Sequence, residues 1–85
     1  MQEASILVLE DERAIAEMIE IILRKEGITN ITLCNTIDEA KDEMNTKTFD
    51  FYLLDIMLPD GSGLDIANSI REKSDAPYFL FNRKK

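Results

Sequence analysis

Glu10-Asp11-Glu12 follows directly on the apolar run Ile6-Leu7-Val8-Leu9, and Asp55 follows directly on Phe51-Tyr52-Leu53-Leu54. Unbroken apolar runs of this length, separated by helical patterns, read as central strands of a parallel sheet covered on both faces. In such sheets ligands bind beyond the carboxyl ends of the strands, where the winding reverses. If the two strands are neighbours, about 4.8 Å apart, Glu10, Asp11 and Asp55 converge on one spot. At about 5 Å and an effective dielectric of about 20, each ionised pair repels by roughly 3 kcal/mol. A hard divalent cation removes that conflict, and a site with few carboxylate ligands and room for water suits Mg2+ better than Ca2+.

The elements that must position these carboxylates follow from periodicity. Residues 14–26 carry Ile15, Met18, Ile19 and Ile22, with Leu23 beside them, on one helical face, and Gly27 stops the helix. Residues 31–34 form a second short strand. Thr36-Ile37-Asp38-Glu39 is a capping-box signature, with Thr at the cap and Glu three residues on, opening a helix whose inner face is Ile37, Ala40 and Met44. Residues 51–54 form the third strand. Residues 55–63, with Pro59, Gly61 and Gly63, read as a loop without regular structure. A third helix is predicted over residues 64–73, with Leu64, Ala67 and Ile70 inward. Asp75-Ala76-Pro77 turns the chain into a fourth strand, Tyr78-Phe79-Leu80-Phe81. The order βαβαβαβ is that of an α/β fold with right-handed crossovers.

Composition narrows the classes of function. Eighty-five residues, 45% hydrophobic and 32% charged, make one modest domain over residues 1–85, neither disordered nor membrane-spanning. No apolar stretch approaches the roughly 18 residues of a transmembrane helix, and the N-terminus lacks a signal-peptide pattern, so a soluble cytoplasmic protein is expected. The net charge of −7 argues against general affinity for DNA. The basic ending Arg83-Lys84-Lys85 reads as a solvated terminus. With no histidine, the chain has no His-based acid–base catalysis, no His–metal site and no phosphohistidine of its own. The single cysteine, Cys34, reads as a small core residue, since no second cysteine can resolve it.

The motifs Ile6-Leu7-Val8-Leu9-Glu10-Asp11-Glu12 and Leu53-Leu54-Asp55-Ile56-Met57-Leu58-Pro59-Asp60-Gly61-Ser62-Gly63-Leu64 resemble the receiver domain of bacterial two-component response regulators. Ile70-Arg71-Glu72 through Ala76-Pro77 also fits that family's third helix and the start of its fourth strand. The resemblance runs from about Ser5 to Phe81. It implies a flavodoxin-like doubly wound parallel sheet, here with strand order 2-1-3-4, strands 1 and 3 flanking the switch point. It also implies that Asp55 is the phosphoacceptor, and that Asp11 and Asp55 coordinate Mg2+ with the backbone carbonyl of Met57. Glu10 would reach the metal directly or through water. The phosphodonor would be a histidine kinase or a small molecule.

The chain departs from the family at its end. Asn82 stands where the family has a hydroxyl residue after its fourth strand. The family's fourth helix, fifth strand and fifth helix have no counterpart before Lys85, and neither Lys84 nor Lys85 takes the place of the lysine that follows the fifth strand. The expectation is an acceptor without the coupled switch, in which phosphorylation is slow or structurally silent. The fourth strand would be a sheet edge bearing three aromatic residues, and a homodimer or higher assembly covering that edge is expected.

Each assignment has a plainer counterpart. Asp55 could be a strand-end turn residue and Asp11 a helix N-cap. Glu12 fits first-turn complementation of the helix dipole better than ligation, and Asp60 fits the Asp-Gly turn. Two functions follow: a phosphoacceptor module that is not a turnover enzyme, or a non-switching interaction protein that self-associates or binds a partner. A Mg2+-dependent phosphatase with an Asp nucleophile is disfavoured, because Met57 stands where an Asp-x-Asp loop needs its second carboxylate.

Overall fold

The two wholly apolar runs can be covered on both faces only in the middle of a sheet, and they lie there. The computed structural model describes residues 4–82. Its elements run β1 (Ser5–Leu9), α1 (Arg13–Lys25), β2 (Asn30–Cys34), α2 (Ile37–Thr46), β3 (Phe51–Asp55), β4 (Met57–Leu58), β5 (Gly61–Ser62), α3 (Gly63–Lys73) and β6 (Tyr78–Phe81). The main sheet is parallel with order β2-β1-β3-β6, as predicted for a doubly wound fold that reverses between β1 and β3. The ending Arg83-Lys84-Lys85 lies outside the described residues.

Side chains alternate across the pleat. Leu7 and Leu9 of β1, Cys34 of β2, and Tyr52 and Leu54 of β3 join Ile37 and Ala40 of α2 and Ile66, Ala67 and Ile70 of α3 in the main core. Phe49 caps this core, edge-to-face on Tyr52 at a centroid separation of 5.7 Å. Two right-handed crossovers that move in opposite directions along a sheet place their helices on opposite faces. α1 therefore takes the other face, where Ile6, Val8 and Ala16 are buried. Cys34 is buried in the core as expected. Burial pushes its thiol up to about 12, Glu43 and Glu39 add to the shift, and Lys47 opposes it. It is thus a neutral packing group at ordinary pH.

Several local expectations need correction. The segment 55–63 is not irregular: β4 and β5 form a short antiparallel hairpin pairing Met57 with Ser62 and Leu58 with Gly61. α3 begins at Gly63, with the Ser62 hydroxyl accepting from Leu64 N. Its inward stripe is therefore Gly63, Ile66, Ala67 and Ile70, while Leu64 is 48% exposed. On α1 only Ala16 is buried, and Met18, Ile21 and Ile22 are 49%, 57% and 54% exposed. The apolar stripe exists, but among the described residues α1 is the one helix on that face of the sheet, and its flank is open.

Helix ends follow their caps. Thr36 Oγ accepts from Glu39 N at 3.2 Å, as the capping signature requires. The Glu39 carboxylate, however, takes Asn35 N at 2.7 Å, one residue earlier than in a standard capping box. Glu12 is the N-cap of α1 and not a first-turn residue, and Asp11 precedes it. No helix among the described residues is long and apolar enough to cross a membrane.

Candidate functional site

Parallel pairing of β1 with β3, Leu9 opposite Leu54, sets the residues that follow side by side. The main chain beyond Leu9 stays in register with β2, since Glu10 N donates to Cys34 O at 2.9 Å. On the other flank Ile56 N donates to Phe81 O at 2.9 Å, holding the end of β3 against β6. Glu10, Asp11 and Asp55 are thereby brought together, each offering a carboxylate oxygen within 4.8 Å of the others. Glu10 is fully buried and Asp55 is 1% exposed, while Asp11 is partly exposed. The pocket thus has a floor of two buried carboxylates and an acidic rim open to solvent. Glu12 stands outside this cluster.

Hydrogen bonds orient two of these groups. Asp55 Oδ1 accepts from Met57 N at 3.1 Å, so the backbone two residues on fixes the carboxylate plane. Asp55 Oδ2 is buried without a hydrogen-bond partner among the described residues. Glu10 Oε2 accepts from Glu12 N at 2.9 Å, closing a tight turn at the end of β1. A buried carboxylate oxygen that no donor satisfies costs free energy unless an ion or water completes it. The donor set around it is all carboxylate oxygen, a hard set that fits Mg2+. Met57 lies in β4 with its side chain exposed, so only its backbone could serve the pocket.

Three residues outside the predicted set shape this site. Gly63 opens α3 against the end of β3, and a Cβ there would stand 2.3 Å from the Asp55 carbonyl oxygen. Only glycine lets the helix come this close. Its N–H donates to Ile56 O at 3.1 Å. Asn35 Nδ2 donates to Glu10 O at 3.2 Å, bracing the main chain behind the buried carboxylate. The signal for Asn35 was present in the sequence as a polar residue directly after β2, in the same relation to its strand as Glu10 to β1. Asp60 does not merely serve its turn: its carboxylate accepts from Ile37 N at 3.1 Å and Asp38 N at 3.4 Å. Asn82, exposed directly after β6, places an amide where a hydroxyl was sought.

A family model described as response regulator receiver domain matches residues 6–82. The transcriptional regulatory protein YvrH of Bacillus subtilis (strain 168) is 39% identical over 84 residues, which are 99% of this chain and 35% of that protein. The response regulator ArlR of Staphylococcus epidermidis is 36% identical over 80 residues, 94% of this chain and 36% of that protein. This chain thus spans about a third of the length of these relatives. Among solved structures, response regulator TrrA from Thermotoga maritima in complex with Mg2+-BeF superposes with a TM-score of 0.86 at 31% identity, covering 96% of this chain and 71% of that one. MaeR response regulator bound to beryllium trifluoride gives 0.86 at 28% identity, covering 96% and 69%. With the family model spanning nearly the whole chain and the sheet order matching, this chain belongs to the response regulator receiver domain family.

Proposed function

We propose that residues 1–85 act as a single phosphoacceptor module of a two-component system, taking a phosphoryl group on Asp55. The observation that carries this reading is Asp55 Oδ2, a buried carboxylate oxygen without a hydrogen-bond partner among the described residues, in a pocket shared with Glu10 and Asp11. That oxygen is the nucleophile: it attacks phosphorus in line, forms an acyl phosphate, and the donor group departs with the bonding pair. Met57 N holds Oδ1, so the second oxygen keeps a fixed direction. Asp11, Asp55 and the Met57 backbone carbonyl would hold Mg2+, with Glu10 reaching it directly or through water. When bound, the ion neutralises charge on the phosphoryl oxygens and the mutual repulsion of the carboxylates.

The chain contains no histidine, so the phosphohistidine of a histidine kinase, as donor, would lie outside these 85 residues. Acetyl phosphate or a similar small phosphodonor is the simpler substitute. The Mg2+-BeF complex of TrrA supports the metal assignment, since fluoroberyllate is a tetrahedral analogue of a phosphoryl group. The module takes up a phosphoryl group and is not a turnover enzyme. Its net charge of −7 disfavours direct contact of this module with DNA.

Thermal unfolding across a Mg2+ titration tests the metal part. With a dissociation constant of about 1 mM, 10 mM Mg2+ adds roughly 1.4 kcal/mol, which raises the Tm of a chain this size by about 5–10 °C. Asp55→Asn is expected to raise the Tm without metal, by relieving repulsion, and to reduce the Mg2+ response. A wild-type Tm that does not move with Mg2+ would contradict the site.

A second reading rests on exposed apolar surface. Among the described residues β6 is an edge of the sheet, with Phe79 60% exposed, and Met18, Ile21 and Ile22 of α1 add further open surface. An edge strand finds its complement in an identical edge across a two-fold axis. We therefore expect the 85-residue chain on its own to form a homodimer or larger assembly through this edge, directly or by exchange of elements. Phe79→Lys should dissociate or unfold it. Sedimentation of the wild type as a folded monomer at micromolar concentration would contradict self-association. An assembly that takes no label from acetyl phosphate with Mg2+ would instead support a non-switching interaction protein.

A further inference from the structure

We propose that Asp60 is a positioning residue for the phosphoacceptor site, locking the hairpin that carries Met57 onto the N-terminus of α2. The proposal rests on the reading of Asp55 and the Met57 carbonyl as parts of that site.

The β4–β5 hairpin follows immediately on Asp55 and sets where the Met57 backbone lies. Its ladder is two residues long on each side, too short to hold a fixed shape unaided. Its base is held by Met57 N to Asp55 Oδ1 and by Gly63 N to Ile56 O. Its tip is held from outside. Asp60 Oδ1 accepts from Ile37 N at 3.1 Å and Oδ2 from Asp38 N at 3.4 Å. These N–H groups belong to the first turn of α2, which has no intrahelical acceptor for them, and the positive end of the helix favours a carboxylate there. Thr36 Oγ occupies the next donor, Glu39 N, so the helix end and the hairpin share its capping between them. Gly61 brings the hairpin against the same helix, since a Cβ there would lie 2.7 Å from Ile37 Cδ1.

The same helix end is also tied to the opposite side of the pocket. Asn35, just before the Thr36 cap, donates through Nδ2 to Glu10 O, and its N–H donates to Glu39 Oε1. Hydrogen bonds and main chain therefore run in a closed path from Glu10 through Asn35, α2, Asp60 and the hairpin to Met57 and Asp55. Leu58 and Ile37 add apolar packing, but among the described residues Asp60 is the side chain whose hydrogen bonds join the hairpin tip to α2. Without it the hairpin keeps its base, while the Met57 carbonyl samples more positions and the metal loses a fixed ligand.

The experiment measures Mg2+ affinity, from the Mg2+ dependence of the Tm, in wild type, Asp60→Ala, Asp60→Asn and Thr36→Ala. Asp60→Ala is expected to weaken Mg2+ binding about tenfold, as loss of an outer partner does at other metal sites. Asp60→Asn keeps an acceptor for Ile37 N and lacks the charge, so it should stay within about twofold of wild type. Thr36→Ala removes a cap from the same helix without touching the hairpin. It should lower the metal-free Tm and leave Mg2+ affinity unchanged. If Asp60→Ala behaves as Thr36→Ala does, the role is structural and the proposal is overturned. Equal losses in Asp60→Ala and Asp60→Asn would assign the effect to charge alone and also overturn it. Should Asp60→Ala fail to fold, Asp60→Ser carries the same comparison. A wild type indifferent to Mg2+ defeats the phosphoacceptor reading itself, whereas a responsive wild type with an unaltered Asp60→Ala defeats only the positioning role.

Discussion

Asp55→Ala is expected to take up no phosphate from acetyl phosphate under conditions that label the wild type. The acyl phosphate needs a carboxylate oxygen at the pocket floor, and on the proposed reading Asp55 Oδ2, buried without a hydrogen-bond partner among the described residues, supplies it. Glu10 is equally buried, but it ends the neighbouring strand, where Asn35 and Cys34 pin its main chain. It is therefore poorly disposed to swing into the place of the lost nucleophile. Asp11, nearer solvent, stands at the rim and not at the floor. Any label on wild type should be labile to hydroxylamine, as a mixed anhydride is. Persistent labelling of Asp55→Ala would count against the assignment.

The second large effect concerns packing. Gly63→Ala puts a Cβ 2.3 Å from the Asp55 carbonyl oxygen, 3.0 Å from its carbon and 3.4 Å from Leu54 Cβ. Two of these are backbone atoms of a central strand, held between β1 and β6 by paired ladders. They cannot yield without opening the sheet, so α3 must move. Alanine is otherwise favoured over glycine in a helix by about 1 kcal/mol, so simple propensity predicts stabilisation. The overlap outweighs it: a net loss of about 2–3 kcal/mol is expected, lowering the Tm by about 10 °C or more. Because α3 and the end of β3 separate, Mg2+ affinity should fall as well. A Gly63→Ala protein as stable as wild type in urea or thermal unfolding would show that the contact is not as close as described.

The site was legible because both kinds of signal act locally. An apolar run without polar interruption identifies a central strand, and an acidic residue at its end marks the ligand-bearing edge of a parallel sheet. Those signals made the cluster conditional on β1 and β3 being neighbours, which the family resemblance implied, and the register with Leu9 opposite Leu54 has them so. The hairpin was hidden because Pro59, Gly61 and Gly63 are the residues that ordinarily break regular structure. Here Gly61, at φ +150°, is what allows the chain to return on itself, and a two-residue ladder leaves no periodicity to detect. Leu64 was misplaced because the helix begins one residue earlier, at Gly63, where a missing side chain gives no hydrophobic mark. The α1 stripe has the spacing of a buried face, but spacing does not say how much neighbouring surface exists to cover it. Asp60 showed the opposite failure. Asp-Gly is a strong local turn signal, and nothing in it points to α2, whose first residues lie more than 20 positions earlier in the chain.

Peptide mapping after incubation with acetyl phosphate tests the central claim most directly, performed once with Mg2+ and once with a chelator. The account predicts one hydroxylamine-labile label, on the peptide that contains Asp55, formed with Mg2+ and absent with the chelator. Label on another residue, equal labelling in the chelator, or none in either condition would contradict it.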